Sequence, residues 1–153
     1  MPDYLLQPHN DSCCVLYAFC NALRFYGQSS PAPGNHEWER LVDFACCRNG
    51  SVLRQGKVAA SLGLRLECIE PEQAVACAPA MMTVWVPRPG GRNNRLHAAL
   101  VIGGSNGLVR LVNYRHATGP LIEEIAFTDI SMPKPGNINR RAWAIALNSP
   151  PTW

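Results

Sequence analysis

The densest apolar run in this 153-residue chain spans residues 13–26. Its core, Cys13-Cys14-Val15-Leu16-Tyr17-Ala18-Phe19-Cys20-Asn21-Ala22-Leu23, is apolar nearly all round, so a helix here is expected to be buried rather than amphipathic at the surface. Asp11 and Ser12 are good N-cap residues and Gly27 is a stop signal, which puts Cys13 in the first turn. A second helix is predicted over 35–47, where Trp38, Leu41, Val42, Phe44 and Ala45 recur at helical intervals and Asn49-Gly50 ends the pattern. Ser51 caps a third helix through Leu62. After Gly63 the period changes. Leu64-Arg65-Leu66-Glu67-Cys68-Ile69 alternates like a strand, residues 71–76 suit one or two helical turns, and Met81-Met82-Thr83-Val84-Trp85-Val86 reads as a buried strand. Leu96-His97-Ala98-Ala99-Leu100-Val101-Ile102 and Leu108-Val109-Arg110-Leu111-Val112-Asn113 form the arms of a predicted hairpin, with turn chemistry over 103–107. Strands are expected again at 122–127 and 142–147, a loop at 133–137, and an extended tail at Pro150-Pro151. Helices first and antiparallel strands later make an α+β layout in which the first helix packs on the sheet.

Composition supports one domain over 1–153. Hydrophobic residues are 47% of the chain, enough for a real core, and no repeat or low-complexity linker divides it. The formal net charge of +3 is too mild to argue for nucleic acid. Arg88, Arg92 and Arg95, with Arg140-Arg141, read as a lightly basic rim; an anionic substrate beside residues 88–95 is the narrower reading. With no signal-like start and no bilayer-length apolar run, the sequence predicts a soluble, cytoplasmic protein without a membrane span. Seven cysteines are an odd number for such a chain, and a disulfide framework is disfavoured. Cys20, Cys68 and Cys77 are expected to be small core residues. The pairs Cys13-Cys14 and Cys46-Cys47, with His9 or His36, raise a metal site. The C-x-x-C spacing is missing and adjacent helical cysteines point apart, so no metal or other cofactor is expected.

Two spacings carry candidate chemistry. Gln7 stands six positions before Cys13, and His97 sixteen before Asn113. A thiolate nucleophile, an imidazole base, a side chain that orients the imidazole, and a polar donor facing an oxyanion make up a cysteine-peptidase site. Cys13 at a helix N-terminus gains from the helix dipole, which favours the thiolate. The hairpin places His97 and Asn113 side by side at its open end, where the Asn113 amide oxygen is expected to accept the imidazole N–H. Taken singly, each residue has a plainer reading: a buried thiol, a strand histidine, a turn asparagine, a surface glutamine. His9 is at most a cleft residue, and His36 and His116 have no comparable context.

Gln7, Cys13, His97 and Asn113 together resemble the papain-like cysteine peptidase superfamily, most similar in size and motif style to the domains that process bacteriocin leaders at double-glycine sites. The resemblance spans roughly the first three quarters of the chain. The leader peptidases usually carry Asp-Cys-Gly where this chain has Ser12-Cys13-Cys14, and Asp where it has Asn113; papain-type enzymes use Asn in the orienting position. The resemblance implies that Cys13 is the nucleophile, His97 the base, Asn113 its orienting partner and Gln7 the oxyanion donor, acting through a thioester. Transglutaminase relatives of this fold pass the acyl group to an amine instead of water. Substrates in keeping with it are a peptide or protein, or peptidoglycan cross-links cut by a phage tail-associated enzyme. The alternatives are a catalytically silent binding or structural module in a larger assembly, and a cysteine-ligated metal module.

Overall fold

In the computed structural model, residues 2–8, 13–45, 52–87, 94–115 and 119–148 are described. Helix α1 covers Cys14–Phe25, and every residue from Leu16 to Leu23 in it is buried, as its all-round apolar character requires. Gly27 ends it at φ 75°, with Gly27 N–H on the Arg24 carbonyl at 3.0 Å and Gln28 N–H on the Leu23 carbonyl at 2.9 Å. This is a Schellman stop, and the left-handed φ is why glycine stands there. Helix α2 covers His36–Ala45 and starts from Asn35, whose Oδ1 accepts the Glu37 N–H at 2.8 Å. Helix α3 covers Val52–Ser61. The caps proposed at Asp11, Ser12 and Ser51, the pair Cys46-Cys47, the stop at Asn49-Gly50, and His9, Arg88, Arg92, His116 and Pro150-Pro151 lie outside the described residues.

Strands follow at β1 Leu64–Ile69, β2 Ala80–Pro87, β3 Asn94–Ser105, β4 Leu108–Val112, β5 Ile122–Ala126 and β6 Ala142–Leu147. The predicted helical segment at 71–76 contains a 3₁₀ turn at Pro71–Gln73. All pairings are antiparallel, and the sheet order is β1-β6-β2-β3-β4-β5. The β3–β4 turn is tighter than the sequence suggests, because β3 continues to Ser105 and only Asn106 and Gly107 lie between the strands. Their φ values of 55° and 79° fit a type I′ turn, whose twist matches that of the strands it joins.

Both faces of the sheet are covered, which is why β2 and β3 read as continuous apolar runs rather than alternating ones. On one face Met81, Leu100, Val112 and Ile145 pack with α1, with Trp38 and Leu41 of α2 and with Val58 and Ala59 of α3. Tyr17 and Trp38 meet edge to face at 4.8 Å. On the other face Met82, Val84, Ala99, Val101 and Leu111 pack with Ala74, Tyr114 and Ile130. Helix α1 lies mainly on β3, the strand that carries His97.

The cysteines divide. Cys20 is fully buried, as expected, and burial pushes its thiol up to about 12 from 9.0. Three pH units reduce its thiolate population roughly a thousandfold at neutral pH, so Cys20 is expected to be the last of the described thiols alkylated by iodoacetamide in the native protein, as read by peptide mapping. Cys68 corrects its sequence assignment: it is exposed, and Cys77 only half-buried. β1 is an edge strand, and burial along the face shared by Leu64, Leu66 and Cys68 falls steadily toward the Cys68 end.

Candidate active site

The chain before α1 forms a strap held by side chains of other elements. From α1, the Arg24 guanidinium donates to the Asp3 carbonyl at 2.7 Å. One turn earlier in the same helix, the Asn21 amide grips both backbone groups of Leu5: Oδ1 accepts the Leu5 N–H at 2.7 Å, and Nδ2 donates to the Leu5 carbonyl at 3.1 Å. As the strap advances from Asp3 to Leu5, its partners retreat from Arg24 to Asn21. It therefore runs antiparallel to α1, toward the helix end where Cys13 sits. Gln7 then follows, 1% exposed, with its backbone N–H on Asn113 Oδ1 at 3.0 Å.

Cys13 is the N-cap residue of α1 rather than a member of its first turn. Its carbonyl accepts the Tyr17 N–H at 3.1 Å, the first bond of the helix, while its own φ of −86° and ψ of 42° fall short of helical geometry. Its side chain does not cap the helix, and the residue is 6% exposed.

His97 lies in β3 opposite Val84 of β2 and is 3% exposed. Its Nε2 is 2.6 Å from the backbone carbonyl of Asn113. A carbonyl oxygen can only accept, so Nε2 carries a proton, and in the neutral ring Nδ1 holds the basic lone pair. The expected partnership of His97 with Asn113 thus exists, but through the main chain instead of the side-chain amide. The reason is the backbone of Asn113, which follows β4 at φ 59°. Asparagine is one of the few side chains that tolerate this left-handed conformation. The Asn113 carbonyl faces the imidazole while its side chain faces the strap, accepting from Gln7 and donating through Nδ2 to the Leu5 carbonyl at 2.8 Å.

The corner after Asn113 is braced. Asn113 N–H donates to the Leu121 carbonyl at 2.9 Å, and Gly119 N–H to the Arg115 carbonyl at 2.9 Å. Arg115 pairs with the buried Glu123 carboxylate, Nη2 to Oε2 at 3.1 Å. A Cβ on Gly119 would sit 2.4 Å from Glu123 Oε1, so a larger residue there would have to displace the Glu123 carboxylate.

Gln7, His97 and Asn113 are therefore three of the five buried polar residues among those described, and hydrogen bonds through Asn113 join them. A fourth, Asn21, was not singled out by sequence reading. A lone amide within a helix otherwise apolar all round must find partners once buried, and that mismatch was the available signal. Glu123 is the fifth. His36 is exposed at the start of α2. Among the described residues no three His, Cys, Asp or Glu side chains converge as a metal site, and no helix is long and apolar enough to cross a membrane.

A solved structure with the same architecture is the peptidase domain of Streptococcus ComA, a bi-functional ABC transporter involved in a quorum-sensing pathway. It superposes with a TM-score of 0.62, covering 95% of this chain and 99% of that one, at 14% sequence identity. No protein-family model and no curated protein sequence matches the chain. The likeness establishes the fold: α+β and papain-like, with an N-terminal buried helix on an antiparallel sheet.

Proposed function

We propose that this chain is a cysteine peptidase that cleaves a peptide or amide bond through Cys13, His97, Asn113 and Gln7. The observation that carries the reading is the hydrogen-bonded unit made by three residues singled out in the sequence: Gln7 N–H on Asn113 Oδ1, and His97 Nε2–H on the Asn113 carbonyl. Helix α1, with Cys13 as its N-cap, packs on the strand that bears His97.

The chemistry follows from these roles. His97 Nδ1 takes the Cys13 proton, and the thiolate attacks the carbonyl carbon. The tetrahedral oxyanion is held by the Gln7 side chain and the Cys13 backbone N–H, with the α1 dipole favouring the negative charge. Imidazolium then protonates the departing amine, and water resolves the thioester to acid and regenerated thiol. An amine acceptor in place of water gives acyl transfer with the same residues. Asn113 acts on His97 through its carbonyl, which stabilises the protonated Nε2 throughout. The substrate is a peptide or protein segment, as suits the fold's kinship with a transporter's peptidase domain, or a peptidoglycan cross-link.

Iodoacetamide labelling at pH 6 tests the proposal. An ordinary thiol of pKa about 8.5 is only ~0.3% thiolate at that pH, whereas a His-paired one remains largely ionised. Exposed Cys68 supplies the internal benchmark. Cys13 is expected to react at least ~10-fold faster than Cys68, and to lose that advantage in His97→Ala. Labelling of Cys13 no faster than Cys68 rejects the thiolate and with it the peptidase.

A second reading, a papain-like fold serving as a binding or structural module, draws on one observation: Cys13 is only 6% exposed. It predicts slow labelling of Cys13 at every pH, so the same experiment decides between the two.

A further inference from the structure

We infer that Asn21 is a positioning residue for the oxyanion donor, setting the place of Gln7 from within α1 without touching the reacting atoms. The inference rests on the peptidase reading and adds to it a residue outside the four that the spacing selected.

Asn21 is 0% exposed, and its two amide atoms are committed to one residue, Leu5, as acceptor for its N–H and donor to its carbonyl. This is the pairing that a neighbouring strand would give, supplied by a side chain. The Leu5 carbonyl also receives Asn113 Nδ2, so a single peptide oxygen ties α1 to the corner that faces His97. Two residues farther along, Gln7 N–H meets Asn113 Oδ1. The strap is thus gripped at Leu5 from the helix that presents Cys13, and at Leu5 and Gln7 from the residue that faces His97.

Nucleophile, base and oxyanion donor come from three separate pieces of chain, and catalysis needs them in register to within a fraction of an ångström. The helix and the hairpin are rigid elements. The strap is not part of the sheet, so its position depends on the packing of Tyr4 and Leu5 against the core and on side-chain bonds. Arg24 holds the far end of the strap at Asp3, but Asn21 makes the two bonds from α1 nearest Gln7, and losing them frees Gln7 to drift relative to Cys13 while leaving the helix and His97 in place.

The test separates two reactions of Cys13. Alkylation by iodoacetamide needs the thiolate alone, whereas acylation by p-nitrophenyl acetate, read as the burst of p-nitrophenolate, passes through an oxyanion. In Asn21→Leu, which keeps the branched shape of the side chain but removes its hydrogen-bonding atoms, Cys13 alkylation is expected to keep its rate and pH profile while acylation falls roughly 10- to 100-fold. Gln7→Ala is expected to lower acylation about 10²- to 10³-fold. If Asn21 acts through Gln7, the double variant acylates no more slowly than Gln7→Ala alone. A double variant slower by the full Asn21 factor, or an Asn21→Leu burst equal to wild type, overturns the positioning role. Should Asn21→Leu fail to fold, Asn21→Asp carries the test. Its protonated carboxyl reproduces both bonds to Leu5 and its carboxylate cannot donate, so its acylation relative to wild type is expected to fall as pH rises; a flat ratio overturns the inference. A wild-type chain whose Cys13 alkylates rapidly yet gives no Cys13-dependent burst rejects the peptidase reading itself, and the positioning role with it.

Discussion

Cys13→Ala is expected to fold like the parent chain and to show no turnover, a loss of about four orders of magnitude or more wherever residual activity can be measured. The two halves of this expectation have separate causes. Cys13 does not cap α1 with its side chain, and alanine removes only one sulfur at a residue buried to 6% exposure, so the cost in stability is about 1 kcal/mol or less. For a domain of this size that moves Tm by no more than roughly 4 °C. The chemical half follows because no neighbouring group can take the sulfur's place: the thioester forms on that atom or not at all. Thermal melts and the p-nitrophenyl acetate burst, measured on the same preparation, check both. A well-folded Cys13→Ala that still turns over would remove Cys13 from the mechanism and move attention to Cys14, the first residue of α1.

A series at Asn113 is expected to show the largest loss of stability among single changes in the site, and to separate its main-chain and side-chain roles. Asn113→Ala leaves the carbonyl that faces His97 but removes the acceptor for the buried Gln7 N–H and one donor to Leu5. Leaving that N–H unmatched costs about 1–3 kcal/mol, and placing alanine at φ 59° adds about 1–2 kcal/mol. The sum corresponds to a fall in Tm of roughly 5–15 °C. Asn113→Gly loses the same bonds but adopts the backbone without strain, so it is expected to melt above Asn113→Ala. Both variants should keep the alkylation pH profile of Cys13, since the His97 partner is main chain. Equal melting of the alanine and glycine variants would argue against strain at this position. A shifted alkylation profile in both would return the orienting role to the side-chain amide.

Much of this fold is readable in the sequence because its signals are local. The apolar period of α1, the stop at Gly27, the Asn35 start of α2 and the alternation in β1 each depend on neighbours within a few residues, and each element falls within a residue or two of expectation. The hairpin was legible for the same reason, although Asn106-Gly107 alone makes the turn. Strand order was not legible. β6 inserts between β1 and β2 although more than fifty residues separate it from either partner, and nothing in an isolated six-residue apolar strand names its neighbours. The site divides along the same line. Four candidate positions follow from residue type and spacing, while the direction in which Asn113 turns its carbonyl depends on a left-handed backbone that residue identity permits without requiring. An amide in an apolar helix signals a buried partner, but nothing near Asn21 names that partner, which lies sixteen residues away. Cys68 misled because alternation predicts a face but not where along the strand its cover ends.

The place of β6 in the sheet also has a consequence for biosynthesis. A ribosome releases the strap, α1 and the β3–β4 hairpin long before it reaches Ala142, yet β1 and β2 become linked only when that later segment slots between them. Ile145, on this strand, belongs to the floor beneath α1, and its carbonyl receives the Tyr26 hydroxyl at 2.7 Å from the residue that ends the helix. Growing chains that stop short of residue 142 therefore have the main support of α1, on β3, but lack the part of its floor that β6 supplies. The order of manufacture therefore leaves the sheet in two parts until this late, interior strand has been made.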